Sequence, residues 1–262
     1  MFVCQIFKTQ AQDQLCIINA DGTGWRRLTT DDNVRSFYPS ITPNGTSVVF
    51  SANIDGNFKL YEMTMDGKIT GLGNTIGYAP EVSPDNMLVV FANSDGVKQI
   101  IWIVKKDGTD LRQLYIDAWD PTWSPDGKRV LFATNIDNKP QLASINIDGT
   151  DFQPITNLPF LRGRSDWSSD GSHIVTYSGE TWHRELYLLN SDGSNVLQIS
   201  PSGGNSQGPS FSPDGQWVVF TAYFDSIENN NGCEIYIMKI DGKNLQRLTN
   251  NTYCDWQPRW GP

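Results

Sequence analysis

Pro121 opens the run P-T-W-S-P-D-G, residues 121–127, and R-V-L-F-A-T follows at Arg129–Thr134. Proline presets its own φ and the Gly after Asp tolerates positive φ, so Pro125-Asp126-Gly127 reads as a tight turn. The stretch therefore predicts a short strand at Pro121–Ser124, a turn, and a β-branched strand at Arg129–Thr134. A loop at Asn135–Pro140 leads into a third strand, Gln141–Ile147. Asp148-Gly149 is a hairpin signal, and Phe152–Thr156 reads as a fourth strand. Apolar alternation is loose, as expected of strands covered on both faces.

The same signature recurs at Pro39, Pro80 and Pro209, in degraded form at Ser165, and as P-R-W-G-P at Pro258. A second mark, an apolar strand ending in Asp-Gly and followed by Leu/Ile-Thr/Ser, has its aspartates at 21, 66, 107, 148, 192 and 241, in steps of 45, 41, 41, 44 and 49 residues. That period is the length of a four-stranded propeller blade. The first unit, Met1–Thr29, has strands B, C and D but lacks A, and the last has only A, Gln257–Trp260. Joined, they complete a sixth blade and leave no open edge. The prediction is all-β: a six-bladed β-propeller of four-stranded antiparallel blades, one domain over residues 1–262.

These residues resemble the TolB-type propeller repeat, in which S-P-D-G and I-Y-x-x-x-x-D-G…L-T recur in each blade: Leu60-Tyr61…Asp66-Gly67, Leu186-Tyr187…Asp192-Gly193 and Ile235-Tyr236…Asp241-Gly242…Leu248-Thr249 match it. The resemblance implies a protein-binding scaffold, the gating propeller of a tricorn-like protease, or a uronate lyase, in a periplasmic or extracellular setting. TolB itself carries an N-terminal domain with no counterpart in these residues.

A net charge of −9 argues against nucleic acid and anionic membrane surfaces. No apolar run reaches the length of a membrane span, and Met1–Phe7 lacks signal-peptide features. The expectation is a monomer unless the chain sits in a complex. Four cysteines and two histidines, with no C-x-x-C, do not suggest zinc. Cys233 and Cys254 lie on the same side of blade five and are expected to pair in an oxidising compartment. Cys4 and Cys16 are expected to be free.

All Pro-Asp-Gly and Asp-Gly turns share one face, the bottom, so the longer and more variable connections lie at the top, where binding residues are expected. Two places before each strand-A proline, or its blade-four equivalent Ser165, stand Phe37, Tyr78, Trp119, Gly163, Gln207 and Trp256. The four aromatics can ring the channel mouth and grip a ligand, or pack between blades. Around blade four, Arg162, Arg164, Trp182, His183 and Arg184 can hold a carboxylate or phosphate, or stay solvated. One place after the proline stand Ser40, Glu81, Thr122, Asp166, Ser210 and Arg259. There Glu81 and Asp166 can coordinate a calcium-like ion or act as an acid/base pair, or form a salt bridge to Arg259. No other cofactor is expected. Gly204–Gly208 matches G-x-S-x-G without the strand and helix such a nucleophile needs. Three functions follow: a non-enzymatic module binding a protein, peptide or glycan at the top face, a lyase or hydrolase on an acidic sugar, or a structural subunit of a larger complex.

Overall fold

The computed structural model describes residues 1–7, 13–224, 232–251 and 254–262. It is a six-bladed β-propeller in which every blade is a four-stranded antiparallel sheet. The inner strands A are Ser36–Ile41, Tyr78–Val82, Ala118–Trp123, Asp166–Trp167, Gln207–Phe211 and Cys254–Trp260 for blades one to six. Each packs on the blades beside it, and the inner strand of blade six touches both blade five and blade one, closing the ring.

The repeat works through hydrogen bonds made by its own polar residues. In blade three the Ser124 hydroxyl donates to Asp126 Oδ1 at 2.7 Å and accepts from the Arg129 N–H at 2.9 Å, while the Lys128 N–H donates to Asp126 Oδ1 at 3.0 Å. The same Ser–Asp pair closes the turns at 83/85, 168/170 and 212/214. The Leu/Ile-Thr/Ser mark has a comparable role. Strand D of blade three shrinks to Gln153–Pro154, shorter than the predicted Phe152–Thr156. Beyond it the Thr156 hydroxyl accepts the Leu142 N–H at 2.9 Å. Thr29, Ser200 and Thr249 serve strand C of blades six, four and five in the same way. One Asp-Gly turn also sets blade spacing. Gly108 has φ of 83°, and a Cβ there would lie 2.5 Å from the Gly73 backbone nitrogen in blade one.

The core lies between blades. Val90, Ile101 and Ile103 of blade two meet Trp123, Val130 and Phe132 of blade three, all buried. In blades one, two and five, strands B and C pair two aromatics at one rung, Phe50 with Tyr61, Phe91 with Trp102 and Phe220 with Tyr236. In blade six the equivalent rung is Cys4 opposite Cys16, and the two form a disulfide with Cα atoms 5.1 Å apart. The expectation of free thiols here is therefore corrected. Without the register of the Phe2–Phe7 and Gln14–Ile18 strands, the two residues do not reveal that they face each other. A second disulfide joins Cys233 of blade five to Cys254 on the inner strand of blade six, Cα atoms 4.3 Å apart.

Blade six is zipped from both ends of the sequence. Phe2 pairs with Trp260 and Gln5 with Trp256, and the Phe2 and Trp260 rings meet edge to face at 4.5 Å. Next to this seam Asp255 is wholly buried. One of its oxygens accepts from Asn251 Nδ2 at 2.8 Å. Burial and the neighbouring Glu234 push its carboxyl up to about 7 from an ordinary value near 3.8. The folded chain thus holds a proton that the unfolded chain releases, so this group's contribution to stability is complete below pH 3.8 and is lost as pH rises through about 7. Melting temperature is expected to fall across that window, and Asp255→Asn should flatten the decline. An identical slope in the variant would exclude Asp255 as the cause.

Candidate functional site at the channel

The inner strands share a defect. The strand A–B register slips between Phe37 and Ser40, Tyr78 and Glu81, Trp119 and Thr122, Gln207 and Ser210, and at the matching place in blade six. At each slip the residue before the proline takes a positive φ: Tyr38, Ala79, Asp120, Gly208 and Gln257 lie between 48° and 60°. A bulge adds one residue and re-aims the side chains around it. In blade four the corresponding residue is Arg164, which is buried and makes its contacts within the channel.

Two rings of side chains meet there. Arg164 Nη1 donates to Gln257 Oε1 at 2.9 Å, the Arg164 backbone N–H donates to Asp120 Oδ2 at 3.1 Å, and the guanidinium lies 5.7 Å from the Tyr38 ring centre. Arg164 also reaches Glu81 at 3.3 Å, in the ring one place after the prolines. In that second ring Arg259 binds Glu81 at 2.6 Å and approaches Asp166 at 3.7 Å, while the Ser40 and Ser210 hydroxyls donate to Glu81 and Asp166. Both guanidiniums are about 95% buried. Burial and the second arginine lower Arg164 to about 10, so it stays charged at neutral pH. Burial raises Asp120 and Asp166 against the pull of the arginines. Glu81 and Asp166 are thus held by Arg259, the salt-bridge arrangement. Among the described residues no group of three or more His, Cys, Asp or Glu is placed to hold a metal ion.

The top mouth carries two aromatic arcs. On blades one and two, Phe37 lies 5.3 Å from Phe58 and 6.3 Å from Tyr38, Tyr38 lies 6.2 Å from Tyr78, and Arg35 stacks 4.8 Å over Phe37. Across the channel Tyr223 takes Trp182 edge-on at 5.3 Å and Trp256 at 6.2 Å. Burial holds the Tyr78 and Tyr223 phenols at about 12, so both stay protonated and can donate.

The candidate residues fall into separate groups. Phe37, Tyr78, Trp119 and Trp256 are all half-buried. Trp119 and Tyr78 rest against interblade cores, and Trp119 Nε1 donates to Arg162 O at 3.3 Å. Phe37 and Trp256 lie outside those cores and belong to the arcs. The basic group does not converge on one point. Arg164 is spent inside the channel, Arg162 Nε donates to Gly179 O at 3.0 Å, and Arg184 Nη1 donates to Gln207 Oε1 at 2.8 Å. His183 is exposed, and Trp182 is 60% exposed. Tyr38, Asp120, Tyr223 and Gln257 were not among the candidates. The signal for three of them was the residue just before the proline, which becomes visible only once the bulge is known.

The TolB β-propeller domain family matches residues 3–160 and 118–225. An uncharacterised protein of Agrobacterium fabrum is 31% identical over 97 residues, 37% of this chain and 31% of that protein. A TolB homologue of Chlorobaculum tepidum is 30% identical over 92 residues, 35% of this chain and 20% of that protein. The matches thus span less than a third of either relative's own length. The crystal structure of TolB from Acinetobacter baumannii superposes with a TM-score of 0.85 over 98% of this chain and 66% of that one, at 20% identity, a likeness of fold.

Proposed function

Because this chain belongs to the TolB β-propeller family, we propose that it is a non-enzymatic binding scaffold that grips a protein or peptide partner at the top of its channel. The observation that carries this reading is the pairing of two partly exposed aromatic arcs with a buried, internally matched ion network beneath them. Aromatic anchors over a rigid, desolvated floor are what interface hot spots require. Because Arg164, Arg259, Glu81 and Asp166 are bonded to one another, the floor serves as structure, and the arcs present the contact surface. The two disulfides support a periplasmic or extracellular setting, since such bonds persist in oxidising compartments.

A random linear peptide library displayed on phage and selected on the folded chain tests the reading. Selected peptides are expected to bind Trp182→Ala and Trp256→Ala about ten- to a hundred-fold more weakly, the loss of an aromatic hot spot of about 1–3 kcal/mol. Peptides that bind the double variant as tightly as the original chain would place the interface elsewhere.

A further inference from the structure

The bottom end of the channel holds a cavity of about 350 Å³. Its polar lining is the second ring, and the ring alternates. Blades two, four and six supply Glu81, Asp166 and Arg259, while blades one, three and five supply the hydroxyls of Ser40, Thr122 and Ser210. Two of the three hydroxyls are committed: Ser40 donates to Glu81 at 2.8 Å and Ser210 to Asp166 at 2.9 Å. Thr122 stands between the two acidic blades, is 95% buried, and makes no side-chain hydrogen bond among the described residues.

Arg259 reaches both carboxylates from blade six and Arg164 reaches Glu81 from blade four, while on the blade-three side the two carboxylates flank Thr122, whose hydroxyl is bonded to neither. The acids are also the more open groups, with side-chain exposures of 13% for Glu81 and 19% for Asp166 against 5% for Arg259. Below this ring, towards the bottom mouth, the walls are apolar, with Trp123, Phe211 and Trp260 beside Pro43, Pro84 and Pro125. An unpartnered hydroxyl at the cavity wall can accept a hydrogen from a ligand there, and two partly open carboxylates favour a donor carrying positive charge.

We infer that the bottom cavity is a binding site for a primary alkylammonium group. The ammonium has three donors and no acceptor. It seats between Glu81 and Asp166 with Thr122 accepting one of its hydrogens, and its alkyl tail lies along the Trp123, Phe211 and proline wall. The group can come from a free small amine or from a lysine side chain. The site opens at the opposite end of the channel from the proposed top-face interface and shares with it the ion network between them.

Isothermal titration calorimetry of the whole chain with n-pentylamine and with Nα-acetyl-lysine amide tests the inference. At least one of the two is expected to bind saturably at one site. Binding of pentylamine alone identifies a free amine as the source, and binding of the lysine amide alone identifies a protein side chain. Thr122→Val keeps shape and removes only the hydroxyl, so it is expected to weaken binding about ten-fold, the loss of one charge-assisted hydrogen bond. Asp166→Asn should weaken it further, and a melting curve for each variant reports that the fold is intact. n-Pentanol binding as well as pentylamine would overturn the inference, as would unchanged affinity in folded Thr122→Val. Absence of heat with both amines would do the same, as would a calcium ion binding in the cavity in their place.

Discussion

Glu81→Gln is expected to destabilise the fold by about 3–5 kcal/mol, the loss typical of breaking a buried ion pair by removing one partner. Among the described residues, Glu81 is the one carboxylate that touches both channel arginines, Arg259 at 2.6 Å and Arg164 at 3.3 Å. Neutralising it leaves two guanidiniums, each about 95% buried, with Asp120 and Asp166 as their remaining acidic neighbours. Urea unfolding monitored by tryptophan fluorescence measures the change. A variant carrying Glu81→Leu, Arg164→Met, Arg259→Met, Asp120→Asn and Asp166→Asn together should recover most of the loss, because uncharged replacement of a whole buried ion cluster is often neutral. A loss below about 1 kcal/mol for Glu81→Gln would mean that the network contributes no more than an exposed pair.

The tryptophans should separate into three grades of stability loss. Trp123 is 6% exposed, packs in the core between blades two and three, and donates Nε1 to Glu81 O at 2.8 Å. Trp123→Ala opens a large cavity and is expected to lose about 3–5 kcal/mol. Trp119, half-buried against the core between blades three and four and bonded to Arg162 O, should fall in between. Trp256 touches Tyr223 edge to face and its buried indole N–H has no partner among the described residues, so Trp256→Ala should lose least. Thermal melts of the three variants give the ranking. A drop for Trp256→Ala equal to that of Trp123→Ala would make the arc a packing feature and remove its role as a contact surface.

Much of this was legible in the sequence for a physical reason. S-P-D-G and Asp-Gly are turns whose own side chains supply the hydrogen bonds, so they mark blade edges without reference to the rest of the fold. The ring of Ser40, Glu81, Thr122, Asp166, Ser210 and Arg259 was legible because it sits at a fixed offset from those turns. The ring of Tyr38, Asp120 and Gln257 was not. A residue before proline normally avoids the helical region in favour of extended backbone, and the repeated left-handed conformation there shifts the strand's alternation by one. Cys4 and Cys16 were misjudged because strand register depends on the connection between the strands, and two residues alone do not fix it. Tyr223 was missed because it follows a strand B and carries no repeat mark.

The closure of blade six has a kinetic meaning. Within the other blades, strands pair with neighbours close in sequence, as Arg129 does with Asn146. Phe2 and Trp260 pair across almost the whole chain. Pairings of long sequence separation form slowly, because loop closure must be met before any contact rewards it. The first strand of the chain must wait for the last before the ring can close. During that wait Phe2–Phe7 has a partner on one side only, and its other edge is open to any strand that passes. The Cys4–Cys16 bond locks that waiting strand to its one early neighbour. A bond across the first hairpin thus holds Phe2–Phe7 to Gln14–Ile18 independently of whether its other edge has met Cys254–Trp260.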